Sequence, residues 1–174
     1  MSELALIQVS ELYKEQVWKY REEFLYHGDD LAGGAGLEEA TDFESWFLDI
    51  ENSKSEETVK EGWVPATTYL AIRKSDSAMV GIIQIRHKLN DFLIDFGGHI
   101  GYSVRKSERQ KGYAKEMLRL SLEECRKLEL SKVLITCDQD NIASAKTILA
   151  NGGKLENEVL GENRITQRYW ISLG

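Results

Sequence analysis

Between Arg105 and Arg119 the chain carries six basic residues, Arg105, Lys106, Arg109, Lys111, Lys115 and Arg119, against only Glu108 and Glu116. At the centre of this run stands Arg109-Gln110-Lys111-Gly112-Tyr113-Ala114, between an apolar run at 99–104 and a strongly periodic helical pattern. A strand, a polar turn and a helix start gather unpaired backbone N–H groups, the positive end of a helix dipole and cationic side chains at one place. That combination holds compact polyanions such as a pyrophosphate. Gly112 offers no Cβ to block the backbone from phosphate oxygens, and Ala114 is small enough for the helix start to lie against a ligand or a strand. Neither the GxxxxGK[ST] of a nucleotide P-loop nor a GxGxxG after the first strand occurs, so those two phosphate folds are set aside.

The elements that must position this turn alternate along the chain. Residues 4–9 read as a strand and residues 11–26 as a helix with an imperfect apolar stripe. The glycine-rich stretch 28–36 must be a loop. Residues 42–50 resume a helical pattern with Phe43, Trp46, Phe47 and Ile50 on one face. Two apolar or β-branched runs, 67–73 and 79–87, flank Ser75-Asp76-Ser77 and read as a hairpin. Residues 89–96 are ambiguous, and Gly97-Gly98 separates them from the strand at 99–104. After Gly112, Ala114, Met117, Leu118, Ser121, Leu122, Cys125 and Leu128 recur at helical spacing, the strongest such signal in the sequence. A strand at 132–137, a helix at 143–150 stopped by Asn151-Gly152-Gly153, and two closing strands at 154–160 and 165–173 complete the order. The strand-helix-strand in the middle implies a parallel pairing and the hairpins imply antiparallel ones, so the fold class is α/β (α+β) with a mixed, mostly antiparallel sheet flanked by helices.

Composition narrows the function classes. The 174 residues suit one domain, and the formal charge of −7 argues against a general nucleic-acid binder. No window approaches roughly 18 uninterrupted apolar residues and the first residues lack a signal-peptide pattern, so a cytoplasmic protein without a membrane partner is expected. Cys125 and Cys137 show no CxxC spacing and no neighbouring His; they read as reduced, buried thiols, and no metal site is expected. The acids Glu38, Glu39, Asp42 and Glu44 beside the glycine-rich loop have the charge to attract a cationic amine, although a solvated helix start is the more ordinary use of such a run. Trp46, Phe47 and Trp63 are candidates for an acceptor wall, with core packing as the ordinary alternative.

With Arg109, Gly112 and Ala114 in place, the sequence resembles the GCN5-related N-acetyltransferase superfamily, whose [RQ]-x-x-G-x-[GA] motif lies between the family's fourth strand and third helix. The resemblance continues through Leu134-Ile135-Thr136-Cys137 and the Asn141-led stretch NIASAKTILANG. It covers roughly residues 66–173, leaving 1–65 as the variable acceptor-side part of a single 1–174 domain. It implies a sheet splayed between strands four and five. It implies also acetyl-CoA as co-substrate, with the backbone of Tyr102, Ser103 and Val104 pairing with the pantetheine arm. Arg109 and the amides of Gln110, Lys111, Gly112, Tyr113, Ala114 and Lys115 would hold the pyrophosphate, and Asn141 and Ser144 the pantetheine and thiol end. From the residues alone, DNIAS at 140–144 suits a helix cap equally well.

The reaction so implied is direct transfer of an acetyl group to an amine of a small molecule or protein, without a covalent enzyme intermediate. An amine of pKa about 10 must lose a proton first. His99 is the first candidate base, because it starts the fourth strand near where family members place a carboxylate, and His87 beside Arg86 is the second; a structural or surface histidine is the alternative for each. Two positions depart from the family. Ile148 stands where many members carry a tyrosine that protonates the departing thiolate, and Gly152-Gly153 replaces Gly-Phe. The first departure motivates an alternative, a non-catalytic CoA-binding sensor or structural domain. A homodimer is compatible with either reading, and the acceptor is not written in the sequence.

Overall fold

The computed structural model describes residues 2–174. Strand β1 (Leu4–Gln8) is followed by a short 3-10 turn and helix α1 (Lys14–His27), which ends on Gly28 in the left-handed conformation. The glycine-rich loop leads to α2 (Phe43–Asn52), whose first turn is capped by the Asp42 carboxylate accepting from Ser45 N–H. A hairpin of β2 (Ala66–Arg73) and β3 (Met79–Arg86) follows. The ambiguous stretch forms a single wide helical turn, Leu93–Gly97, and then enters β4 (Ile100–Val104). Helix α3 (Tyr113–Lys127), β5 (Lys132–Asp138), α4 (Ile142–Ala150), β6 (Lys154–Leu160) and β7 (Ile165–Ser172) complete the chain.

Every strand ladder is antiparallel. One sheet runs β1-β2-β3-β4 and the other β5-β7-β6, so β4 and β5 are facing edges of two sheets. The parallel pairing expected across the middle is therefore absent as a ladder. It survives at one point, where His99 N–H donates to Leu134 O at 2.7 Å and Leu134 N–H donates to His99 Nδ1 at 2.9 Å. The imidazole takes the place of a backbone acceptor, and beyond it the edges part.

Two apolar cores sit on the two faces of the first sheet. Ile83, Ile85, Ile100 and Val104 face Met117, Leu118 and Leu122 of α3, with Val133 and Ile135 of β5 continuing the layer. Leu70, Ile72 and Ile82 face Val17, Tyr20 and Phe24 of α1 and Phe43, Trp46 and Ile50 of α2. The alternation of β3 and β4 side chains between these faces is the ordinary two-residue pleat. It assigns Ile100, Tyr102 and Val104 to the α3 face and His99, Gly101 and Ser103 to the α1 face.

Candidate active site

The turn before α3 is built by backbone conformation. Gln110 and Gly112 both have positive φ, 63° and 83°, while Lys111 between them does not. This alternation curls successive amides toward one side. The N–H groups of Gln110, Lys111, Gly112, Tyr113, Ala114 and Lys115 donate to no acceptor among the described residues, and the helix ladder begins with Glu116 N–H donating to Gly112 O. A Cβ added at Gly112 would meet nothing within 4 Å. The turn therefore has open space beside Gly112, and its undonated amides lie at the positive end of a long amphipathic helix. A groove of about 450 Å³ adjoins the turn, lined by Ser2, Glu3, Leu4, Lys111, Gly112, Tyr113, Glu116 and Arg119.

The basic side chains around this turn are more committed than the sequence suggests. Arg105 pairs with Glu23 at 2.6 Å, and Arg119 with Glu116 and Glu123. Lys111 donates to Glu108, which also holds Arg73, and together they keep the Glu108 carboxyl below its usual range. Arg109 donates through Nε to Val104 O at 2.8 Å, pairs with Asp29 at 3.1 Å and lies over the Phe24 ring. Its side chain ties the turn to the end of α1. Among the described residues, Lys106 and Lys115 alone of the six basic residues hold no ion pair.

The open edge of β4 lies beside the turn. In an antiparallel ladder, alternate residues direct both backbone groups to the partner strand. Arg86 N–H donates to His99 O and Arg105 N–H to Val80 O, so Gly101 and Ser103 belong to the set turned toward β3, while His99 at the start of the strand gives its carbonyl to β3 and its N–H to Leu134 O of β5. Tyr102 and Val104 consequently present their backbone groups to the gap, and Arg109 caps the Val104 carbonyl. Ser103 does not share this edge. Its carbonyl and hydroxyl meet the Tyr20 hydroxyl, each at 3.0 Å, which fastens β4 to α1.

On the α3 face the Tyr102 side chain reaches across the gap, and its hydroxyl lies 2.8 Å from Ser144 Oγ in the first turn of α4. Burial pushes this phenol up to about 12, so it carries its proton throughout the neutral range. Asn141 caps the same helix by accepting from Ser144 N–H at 3.1 Å and is exposed. Ile148, one turn beyond Ser144, is fully buried in the core. Cys137 and Cys125 are buried free thiols, pushed up by burial to about 11 and about 12, which leaves them inert as nucleophiles.

The histidines occupy different positions. His99 is 5% exposed, and burial with the nearby Arg86 charge pulls its imidazole down to about 4. With Nδ1 accepting from Leu134 N–H, the neutral ring carries its proton on Nε2. His87 Nε2 lies 2.8 Å from Thr67 Oγ1, and burial lowers its pKa. By strand parity it lies on the face opposite Arg86. Beyond the glycine-rich loop, Glu44 is paired with Lys14, Asp42 is spent as a cap, and Glu38 Oε2 is buried without a partner among the described residues. Trp46 is core, with its Nε1 donating to Gly34 O, while Trp63 is exposed beneath Lys60.

A model of the acetyltransferase (GNAT) domain matches residues 11–154. This chain belongs to the GNAT acetyltransferase family. It is accordingly an acetyl-CoA-dependent enzyme that acetylates an amine. No curated protein sequence matches it. Among solved structures, it is similar to a ribosomal L7/L12 α-N-protein acetyltransferase in complex with coenzyme A, at TM-score 0.72 and 17% identity, covering 99% of this chain and 95% of that one. The ribosomal-protein-S5-alanine acetyltransferase of Vibrio fischeri gives TM-score 0.67 and 14% identity, covering 99% and 94%. The spermidine N-acetyltransferase of Vibrio cholerae, with CoA and spermine, gives TM-score 0.66 and 12% identity, covering 99% and 97%. At these identities the likeness is one of fold. Among the described residues no cluster of His, Cys, Asp or Glu has the makings of a metal site, and no helix is long and apolar enough to cross a membrane.

Proposed function

We propose that this GNAT acetyltransferase grips acetyl-CoA by backbone: the amides from Gln110 to Lys115 take the pyrophosphate, and the open edge of β4 at Tyr102 takes the pantetheine arm. The observation that carries this reading is the run of undonated N–H groups from Gln110 to Lys115 at the start of α3, with open space beside Gly112. Added as a strand, an extended amide-bearing arm would pair with Tyr102 C=O and Val104 N–H in the wedge that His99 and Leu134 close at one end, leaving Tyr102 N–H free. Lys115, free of ion pairs, adds charge near the phosphates.

Acetyl-CoA supplies the acyl thioester and a thiol leaving group. Tyr102 N–H, turned into the gap, is the donor for the developing oxyanion. The Tyr102 hydroxyl, protonated and held by Ser144, supplies a proton to the thiolate as the C–S bond breaks, the role that Ile148 cannot fill. The amine transfers its own proton to water and the phenol is reprotonated from solvent, so the exchange balances as amide plus thiol. His99 serves as a strut in this scheme rather than a base, because its Nδ1 lone pair is already engaged. The decisive assay is thiol release from acetyl-CoA across an amine panel. Turnover supports the reading, whereas CoA binding without turnover on any amine supports a sensor. The neighbours' named acceptors are ribosomal-protein N-termini and polyamines, both amines.

A further inference from the structure

Arg86 is the last residue of β3 and lies, by pleat parity with Ile82 and Gln84, on the α1 face of the sheet. Gln84 pairs with Gly101 across the β3–β4 ladder and Arg86 N–H donates to His99 O, so Arg86 stands at the β4 segment where transfer is placed. At Gly101 that face carries no side chain and is covered by the loop after α1, with Gly33 N 3.3 Å from where a Gly101 Cβ would sit. The Gly33 backbone covers it so closely that a Cβ on Gly33 would sit 2.3 Å from Gly101 O, and a Cβ on Gly101 would sit 3.5 Å from Arg86 Nη2. Small residues on both sides leave the guanidinium lying along the strand floor.

The bonding of that guanidinium is one-sided. Nη1 donates to Gly97 O at 2.9 Å and Gly98 O at 3.1 Å, which fixes the plane of the group. Nε and Nη2 donate to nothing among the described residues, and neither is sealed from solvent. These two N–H groups form the side-on edge that accepts a carboxylate in two parallel bonds. Arg73, Arg105, Arg109 and Arg168 each hold a carboxylate of this acidic chain, yet none approaches Arg86. Burial alone lowers its pKa, and no neighbouring acid offsets that cost.

We infer that Arg86 selects the acceptor: the amine acetylated by this enzyme carries its own carboxylate, which docks on the free Nε–Nη2 edge and brings the amine toward the open edge of β4 at Tyr102. The inference rests on the transfer reading above and narrows it to amino-acid-like acceptors over polyamines. A polyamine would bring a second positive charge to a fixed, desolvated cation, which opposes binding.

The test pairs each amino acid with its carboxamide as acceptor at saturating acetyl-CoA, in the wild type, Arg86→Gln and Arg86→Lys. The wild type is expected to favour the free acids by about tenfold or more in kcat/KM, although the amides have the more readily deprotonated amines. Arg86→Gln should bring that ratio to about one or below, Arg86→Lys should keep its direction, and all three should bind CoA alike. Binding of N-acetylglycine against N-acetylglycinamide to the CoA complex, measured by calorimetry, gives a readout independent of turnover and of amine basicity. Equal use of acid and amide by the wild type, or an unchanged ratio in a folded Arg86→Gln, overturns the inference while leaving the transfer reading intact. Absence of turnover on every amine overturns the transfer reading, and the N-acetylglycine arm then still decides whether Arg86 binds a carboxylate.

Discussion

Two glycines with similar positive φ, one in the turn before α3 and one in the loop after α1, stand in opposite surroundings. Gly112 and Gly33 have φ values of 83° and 76°, a region that L side chains rarely adopt. Around Gly112 there is nothing within 4 Å of an added Cβ, whereas at Gly33 that atom would fall 2.3 Å from the Gly101 carbonyl oxygen. One glycine keeps space open for something outside the chain. The other lets two backbones of the chain touch. The proposed donor site is thus assembled from neighbouring residues, and the proposed acceptor floor from segments distant in sequence.

Substitutions at the two positions should fail in different ways. Gly33→Val should cost the most, on the order of 4 kcal/mol of stability, since the added atoms meet backbone on β4 that cannot step aside. Denaturant unfolding checks this, and a near-neutral midpoint would dissolve the contrast. Gly112→Asp should leave the fold within about 1 kcal/mol, because only the left-handed conformation is penalised, but weaken CoA by about a hundredfold or more through exclusion and like-charge repulsion. Calorimetry with unchanged affinity would remove the turn from the donor site.

The joint between the two sides should answer to pH. The folded His99 imidazole lies at about 4, below its ordinary value near 6.5, so the unfolded chain binds the proton more readily. Its contribution is fully present above pH about 6.5 and is lost as pH falls toward about 4, by roughly 3 kcal/mol. His99→Gln should flatten that slope in unfolding experiments, and the rate should show no inflection from this residue between pH about 6 and 8. A wild-type slope that survives in the variant would assign it to other groups. The smallest effect expected is at Tyr102→Phe, a fall of about tenfold in kcat with CoA affinity and stability little changed. An unaltered kcat would free Tyr102 of the acid role.

The same division explains what the sequence made legible. The hairpin, α3 and the turn from Arg109 to Ala114 follow from local periodicity, from a glycine at the turn and from basic residues close together, and all three stand where that pattern set them. The split of the sheet was visible only through family likeness, because the strand-helix-strand order taken alone implies a parallel ladder. What replaces that ladder is a single imidazole bonding across 35 residues, and no spacing announces it. Likewise the Tyr102 hydroxyl meets Ser144 across 42 residues, and Arg109, read as a phosphate ligand, finds Asp29 in the glycine-rich loop. Arg86 carried no signal at all: an arginine at the end of a strand becomes notable only once its partners, and the lack of an acid among them, are known.

Amide chemical shifts of the labelled protein on titration with CoA test the central claim directly. The amides of Gln110 to Lys115 should move most, with Tyr102 N–H next and the Gly33 loop little changed. Shifts concentrated elsewhere, with residues 110–115 unmoved at saturation, would contradict a donor site held by backbone at the start of α3.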